Sequence, residues 1–258
     1  MSAAPDRGYQ AGFSRLYPDA AADRASRERK ARTLVAVLAD FLGGVDALRT
    51  KKVLDVGASN GVMDTILAGA CGHVTGIDID GEAIQAAQAG VTASNLEFHV
   101  GDGMALEQAD ASIDIVICAH VYEHVPDATR LLAEIRRVLK AGGVCYFAAG
   151  NRFQWMEPHY RLPLLSVLPR LLAHAYLRLL GRGEHYYEKH LSLPALRRLV
   201  RGFTVHDYTA RLIRDPARYG VDYMLPPGSL KALAARSVLR FGYGLVPTYI
   251  WLLERPAE

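Results

Sequence analysis

The stretch Lys52-Val-Leu-Asp-Val56 runs directly into Gly57-Ala-Ser-Asn-Gly61 and then into apolar helical spacing up to Ala70. A short buried strand, a glycine turn and a helix in immediate succession form one unit of an α/β sheet, and the pattern then repeats. His73–Asp78 reads as a strand, Glu82–Ala89 as a helix, Leu96–Val100 and Ile113–Cys118 as strands, Ala128–Lys140 as a helix and Val144–Ala149 as a strand. Such alternation predicts a doubly wound, mostly parallel sheet.

A charged helix is expected over Ala20–Leu42. Beyond Gly150 the pattern changes to a helix-rich, aromatic and basic stretch, followed by strand-like Phe203–Ala210 and Thr248–Leu253 with a further insertion between them. A single domain is therefore expected, with an N-terminal helical cap over 1–47, a core over 48–150, a substrate cap over 151–202 and the last two strands within 203–258. In an open sheet the ligand lies beyond the carboxyl ends of the strands, so insertions at that rim would cover it.

Composition narrows the class. With 258 residues, half of them apolar and 22% charged, the chain is neither disordered nor fibrous. Cys71, Cys118 and Cys145 are far apart in apolar surroundings and read as reduced thiols of a cytoplasmic protein. The first ten residues lack the apolar core of a signal peptide. Pro163, Pro169, Arg170, His174 and Arg178 interrupt the most membrane-like run, so no spanning segment is expected. The net charge of +3 conceals an asymmetry: residues 1–150 carry 14 basic against 19 acidic residues, and 151–258 carry 16 against 8. The basic half either faces something anionic or is a solvated arginine-rich surface.

Three acidic positions follow strands in register. Asp55 precedes the glycine turn, whose backbone and following helix N-terminus suit an anionic group such as a carboxylate. Asp78 ends the second strand, where a carboxylate can accept both hydroxyls of a ribose. Asp102, in Val100-Gly-Asp-Gly-Met104, can accept from an exocyclic amine. The nicotinamide fingerprint is not matched, because three residues separate Gly57 from Gly61 and no third spaced glycine follows.

Together with SIDIVICAHVYEHVPD and LLAEIRRVLKAGG, these motifs resemble the class I S-adenosylmethionine-dependent methyltransferases, in the branch that includes ubiquinone and menaquinone biosynthesis enzymes; the likeness covers about residues 48–150. It implies a Rossmann-like, seven-stranded sheet with a helical cap inserted after the fifth strand, and S-adenosylmethionine as cofactor. By position, the backbone from Gly57 through Ala58 to Gly61 would hold the methionine part and Asp55 would order that loop. Asp78 would take the ribose, and Ile79 would pack on adenine. Asp102 would accept the adenine amine beside Gly103 and Met104, and the rim at Ala119 and His120 would approach the sulfonium. Ser59 departs from the family, which commonly has glycine there.

Transfer to a protonated acceptor calls for a base, and His120, Tyr122 and His124 at the rim, joined by His159, are the candidates. His120-Val-Tyr-Glu-His124 is similar to an E-x-x-E-H that binds a divalent metal in some relatives, with histidine in place of the first glutamate; a hydrogen-bonded rim is the alternative, and no metal ligand is assigned. Phe153, Trp155, Tyr160, Tyr176, Tyr186 and Tyr187 give the insertion apolar walls, and Arg161, Arg170, Arg178 and Arg182 punctuate it. The expected partner is thus a small, partly apolar acceptor methylated on oxygen, which the arginines suit to carry an anionic group, without nucleic acid. A peripheral membrane contact and a homodimer through residues such as Leu225 or Trp251 are further readings. An RNA or protein methyltransferase, and a cofactor-binding protein without turnover, are the competing readings.

Overall fold

The computed structural model describes residues 23–257; the part of the N-terminal cap expected over residues 1–22 lies outside them. Seven strands form one sheet in the order β3-β2-β1-β4-β5-β9-β8. They are β1 (Lys52–Val56), β2 (His73–Asp78), β3 (Leu96–Val100), β4 (Ile113–Ala119), β5 (Leu139–Gly150), β8 (Thr204–Asp207) and β9 (Thr248–Glu254). Only β9 runs against the rest. The doubly wound, mostly parallel architecture is as expected.

Side chains alternate across the pleat, so each strand feeds two cores. Val53 and Ile115 point into the layer made by α1 (Arg24–Leu42), α2 (Val62–Ala70) and α3 (Gly81–Ala89), with Leu34, Leu38, Leu67 and Ile84 fully buried there. Leu54 and Val116 point into the opposite layer, filled by Leu131 and Ile135 of α4 (Ala128–Val138) and Leu196 of α6 (Leu193–Leu199). A third, smaller cluster (Tyr160, Leu162, Leu165, Ala173, Leu177 and Tyr186) belongs to the insertion, which carries the two-stranded hairpin β6 (Met156–Glu157) and β7 (Leu162–Pro163) and helix α5 (Arg170–Leu179). Leu193–Leu199 packs with the sheet layer instead of with that cluster.

Several element boundaries differ from the sequence reading, the fifth strand for instance beginning at Leu139 and not at Val144, and two of the differences have a visible reason. The fourth helix stops at Val138, because the Arg255 guanidinium, distant in sequence, takes up the carbonyls of Arg136, Arg137 and Leu139 at 3.2, 3.3 and 2.6 Å. An outside donor thus satisfies the acceptors that a longer helix would have paired. The first late strand ends at Asp207, whose carboxylate accepts from the Thr209 N–H at 2.9 Å and opens the short helix α7 (Thr209–Arg214).

Helix α1 is fastened to the late part of the chain. Asp40 accepts from the Tyr208 and Tyr219 hydroxyls at 2.9 and 3.1 Å and from Arg211 and Arg218, and the Arg29 guanidinium lies 4.9 Å above the Tyr223 ring. The other insertion, which includes α8 (Leu230–Phe241), returns to the sheet beside the first: the Asn151 N–H donates to the Pro247 carbonyl at 2.9 Å, and its side-chain amide donates to the Gly244 and Val246 carbonyls at 2.7 and 2.8 Å.

Tyr122 joins rim and insertion. Its buried hydroxyl donates to the Gly150 carbonyl at 2.6 Å and accepts from the Leu191 N–H at 3.0 Å. Tyr122→Phe leaves both partners unpaired in the interior and should lower stability by about 1–3 kcal/mol. Urea unfolding should show a lower midpoint with an unchanged slope; an unchanged midpoint would mean that the bonds contribute nothing net.

Candidate functional site

The carboxyl ends of β1, β2, β3 and β4 share one edge of the sheet, and the candidate residues sit on it. The turn after β1 is held against β2 by the Gly57 and Ala58 N–H groups, both of which donate to the Ile77 carbonyl (2.8 and 3.0 Å). Gly57 and Gly61 take φ of +91° and +73°, and space is as limiting as backbone. A Cβ on Gly57 would lie 2.6 Å from a Val121 methyl, and one on Gly61 would lie 2.4 Å from the Phe98 ring. Ser59 also has a positive φ, +54°, which accounts for glycine being the easier residue at that position. Gly61 caps α2 without any side-chain acceptor, so the first N–H groups of that helix face the turn.

Asp78 is half-buried and is oriented by two backbone donors: the Ser59 N–H reaches one oxygen and the Asp80 N–H the other, each at 2.9 Å. Burial nevertheless lifts its carboxyl above the ordinary range, these hydrogen bonds opposing the effect. Ile79 is 40% exposed, an open apolar side chain next to that carboxylate. After β3, one Asp102 oxygen accepts the Met104 N–H at 2.8 Å, so that N–H is already engaged. Gly103 is packed so tightly that a Cβ would meet Val56 at 2.7 Å.

Beneath the turn, Asp55 and Asp64 are buried side by side, 4% and 0% exposed. Burial first, and then the neighbouring carboxylate, push Asp55 well up; burial raises Asp64 from 3.8 to about 7. The compensating charge comes from α1: the Arg27 guanidinium reaches the Ser59 hydroxyl at 3.4 Å and feels Asp55, Asp78 and Asp64. Neither Arg27 nor Asp64 is among the residues singled out from sequence. Arg27 sits in a run of helical charges with nothing to distinguish it from its neighbours, while Asp64 is legible as the acid three residues inside α2.

At the tip of β4, Ala119 pairs with Ala148, and His120 adopts a φ of +59° while its N–H donates to the Ala148 carbonyl at 2.8 Å. The imidazole Nδ1 is 3.2 Å from Oε1 of the buried Glu123. Burial raises the Glu123 carboxyl, but the bond to His120 and the adjacent imidazoles overcome this and hold it at about 2. His124 is pressed the other way: burial lowers it to about 4, so it is neutral near pH 7. Its ring meets His159 edge-on at 4.9 Å, and His159 Nδ1 is 2.7 Å from Glu157 Oε1. Although burial opposes it, the Glu157 bond raises His159.

The structure therefore brings His120, His124 and His159 together with residues that the sequence reading did not assign. Glu188 stands 3.9 Å and His190 3.6 Å from members of the same group, both buried, and neither side chain has a hydrogen-bond partner among the described residues. The available signal was a repeated Glu-x-His, at Glu157–His159 and Glu188–His190. Despite this density, no group of three such side chains among the described residues is arranged to hold a metal ion.

A family model described as a methyltransferase domain matches residues 54–147. The chain is similar to ubiquinone biosynthesis O-methyltransferases of Aromatoleum aromaticum (32% identity; 63% of this chain and 67% of that one) and Burkholderia ambifaria (30%; 64% and 70%). A third such enzyme, from Thiobacillus denitrificans, is 33% identical over 60% of this chain and 64% of its own, so the matches span about two thirds of the relatives' length. Among solved structures, the fold is shared with a chain of the complex between the Haloferax volcanii Trm112 methyltransferase activator and a putative methyltransferase (TM-score 0.57, 21% identity, 96% and 99% covered). It is also shared with an S-adenosylmethionine-dependent methyltransferase of Mesorhizobium loti (0.55, 16%, 81% and 92%).

The Asp64 carboxyl generates a pH test. Folded protein keeps a proton up to about pH 7 that an unfolded carboxyl at its ordinary 3.8 has already released. Stability from this group is complete below the lower value and is lost as pH rises through the upper one. Asp64→Asn should flatten the decline of urea midpoint over that interval; a slope equal to wild type would assign the decline to another group.

Proposed function

Because the chain belongs to the S-adenosylmethionine-dependent methyltransferases, we propose that it methylates a hydroxyl of a small, partly apolar acceptor held between the strand rim and the insertion. The observation that carries this reading is the adjacency of the glycine turn and the histidine rim: Val121, which follows His120, fills the space that a side chain on Gly57 would need. Cofactor loop and proton-accepting group thus share one wall.

The residues fit the cofactor. Asp78, oriented by two backbone N–H groups, can accept from a pair of ribose hydroxyls, and the exposed Ile79 side chain gives adenine an apolar face. Asp102 offers its carboxylate to the exocyclic amine, with Gly103 and Met104 shaping the turn around it. The uncapped end of α2 and the Arg27 guanidinium suit the carboxylate of the methionine part. When bound, S-adenosylmethionine supplies an electrophilic methyl group and leaves as S-adenosylhomocysteine.

For the acceptor proton, His120 is best placed. With Nδ1 donating to the Glu123 carboxylate, Nε2 is the basic nitrogen, and the imidazole is 42% exposed at the rim. Glu123 stays ionised, fixes that tautomer and stabilises the imidazolium once the hydroxyl proton arrives. His124 is a neutral neighbour, and His159 is committed to Glu157. The arginines of the insertion support an acceptor with an anionic group, the name shared by the curated relatives supports oxygen as the methylated atom, and three buried, unpaired cysteines support action in the cytoplasm.

Calorimetric titration with S-adenosylmethionine tests the cofactor assignments. Asp78→Ala should weaken binding by about 1–3 kcal/mol. Arg27→Met should weaken S-adenosylmethionine but leave methylthioadenosine, which lacks the carboxylate, unchanged; equal losses for both would remove Arg27 from that role. With an acceptor found by screening phenolic acids, His120→Gln should lower kcat by about 10²–10⁴-fold with cofactor affinity preserved. Undiminished turnover would place the base elsewhere, and binding without turnover of any acceptor would favour a cofactor-binding protein.

A further inference from the structure

One buried imidazole beside the rim takes no part in the chemistry assigned so far. The His190 side chain is 2% exposed, and neither of its ring nitrogens has a hydrogen-bond partner among the described residues. Removing such a ring from water without replacing its bonds is costly, so its burial calls for a reason.

The backbone sets its place closely. The segment returning from the insertion lies along the rim. The Lys189 N–H donates to the Glu123 carbonyl at 2.8 Å, the Leu191 N–H to the Tyr122 hydroxyl at 3.0 Å, and the Arg152 N–H to the Leu191 carbonyl at 3.0 Å. The ring held between these bonds rests on Gly150, at the end of β5. A Cβ added there would lie 2.8 Å from both Cε1 and Nδ1 of His190 and 3.5 Å from Glu123 Oε1. The imidazole and the Glu123 carboxylate thus meet over the space that the glycine leaves. Across the ring, Nε2 is 3.6 Å from Oε1 of the fully buried Glu157, which is also bonded to His159 Nδ1 at 2.7 Å and accepts the Tyr160 N–H at 2.8 Å.

Two carboxylates, one orienting the base and one on the insertion, therefore flank a single imidazole. Burial opposes ionisation of each, yet imidazoles hold both at about 2, and His190 is the one that acts on both. Two ionised carboxylates in a poorly polarisable interior repel each other, and a ring offering N–H groups between them relieves that repulsion. His124 and Glu188 complete the surroundings. Glu123 Oε2 has no hydrogen-bond partner among the described residues, so the bond to His120 and the field of the neighbouring imidazoles orient this carboxylate.

We propose that His190 is a positioning residue for the base: lodged over Gly150 between Glu123 and Glu157, it keeps the Glu123 carboxylate turned toward His120 Nδ1. It acts through Glu123 and not on the reacting atoms. The inference rests on the reading of His120 as the base, and its first test needs neither turnover nor an acceptor.

In proton–nitrogen correlation spectra of the imidazoles, neutral His120, assigned by its loss in His120→Gln, should carry its proton on Nδ1. His190→Leu fills the space without an N–H and should shift this population toward the Nε2–H form that free imidazole side chains prefer. Gly150→Ala, which displaces the ring with its Cβ alone, should act likewise, whereas His190→Gln keeps an N–H and should retain the wild-type tautomer. Circular dichroism and S-adenosylhomocysteine affinity should be those of wild type in all three. With an acceptor in hand, His190→Leu should lower kcat about 10–100-fold at constant KM. In a Glu123→Gln background the same change should cost nothing further. A wild-type tautomer in both His190→Leu and Gly150→Ala, or a loss that adds fully to that of Glu123→Gln, would overturn the proposal. Failure of every acceptor would instead overturn the proposed methyl transfer, with the tautomer still deciding the role of His190.

Discussion

Asp55, Asp64 and Asp78 stand close together beneath and beside one glycine turn, in an environment that cannot carry three full negative charges. Burial resolves this by favouring protonation of the inner pair, and α1 contributes by bringing Arg27 to the outer edge. The position of that guanidinium depends on Asp40, which ties the same helix to Tyr208, Tyr219, Arg211 and Arg218. The glycine turn is thus held electrostatically from a part of the chain that lies before the sheet and another that lies near its end. The balance of charges beneath the turn and the stability of the core therefore draw on the same residues.

The opposite wall of the site follows different physics. Glu123 remains ionised despite its burial because imidazoles surround it, whereas His124 is neutral because the same burial outweighs a single nearby carboxylate. Two groups adjacent in sequence are driven apart in protonation state by the same burial. The positive φ of His120 belongs to this arrangement, since it turns the imidazole back toward Glu123 while its N–H stays bonded to the neighbouring strand.

Local signals carried most of the sheet. Val53 through Val56 announce a strand by apolar continuity, and Gly57 and Gly61 announce the turn because no other residue fits beside Val121 and Phe98. The acidic tips are readable because they recur, Asp55, Asp78 and Asp102 standing at or just beyond the ends of the first three strands. Long-range partners were not readable. The end of α4 depends on Arg255, more than a hundred residues away, and Arg27 gains its meaning only when α1 packs beside the turn. In the insertion, the aromatic residues were visible as a class. The pairing of Glu157 with His159, and the approach of Glu188 and His190, needed the fold to bring two loops together.

Strand β9 lies between β5 and β8 although it comes after both in the chain, and Arg255, just beyond it, caps α4 and bonds to Gly143. During synthesis, the preceding strands emerge with an open sheet edge and with helix carbonyls that have only water to bond. The nascent core therefore stays unfinished until residues 248–255 have left the ribosome, and the join that completes it is among the most sequence-distant in the molecule. Such topology makes folding slow relative to local helix formation and leaves the β5 edge as the surface that a chaperone, or a neighbouring nascent chain, would meet first.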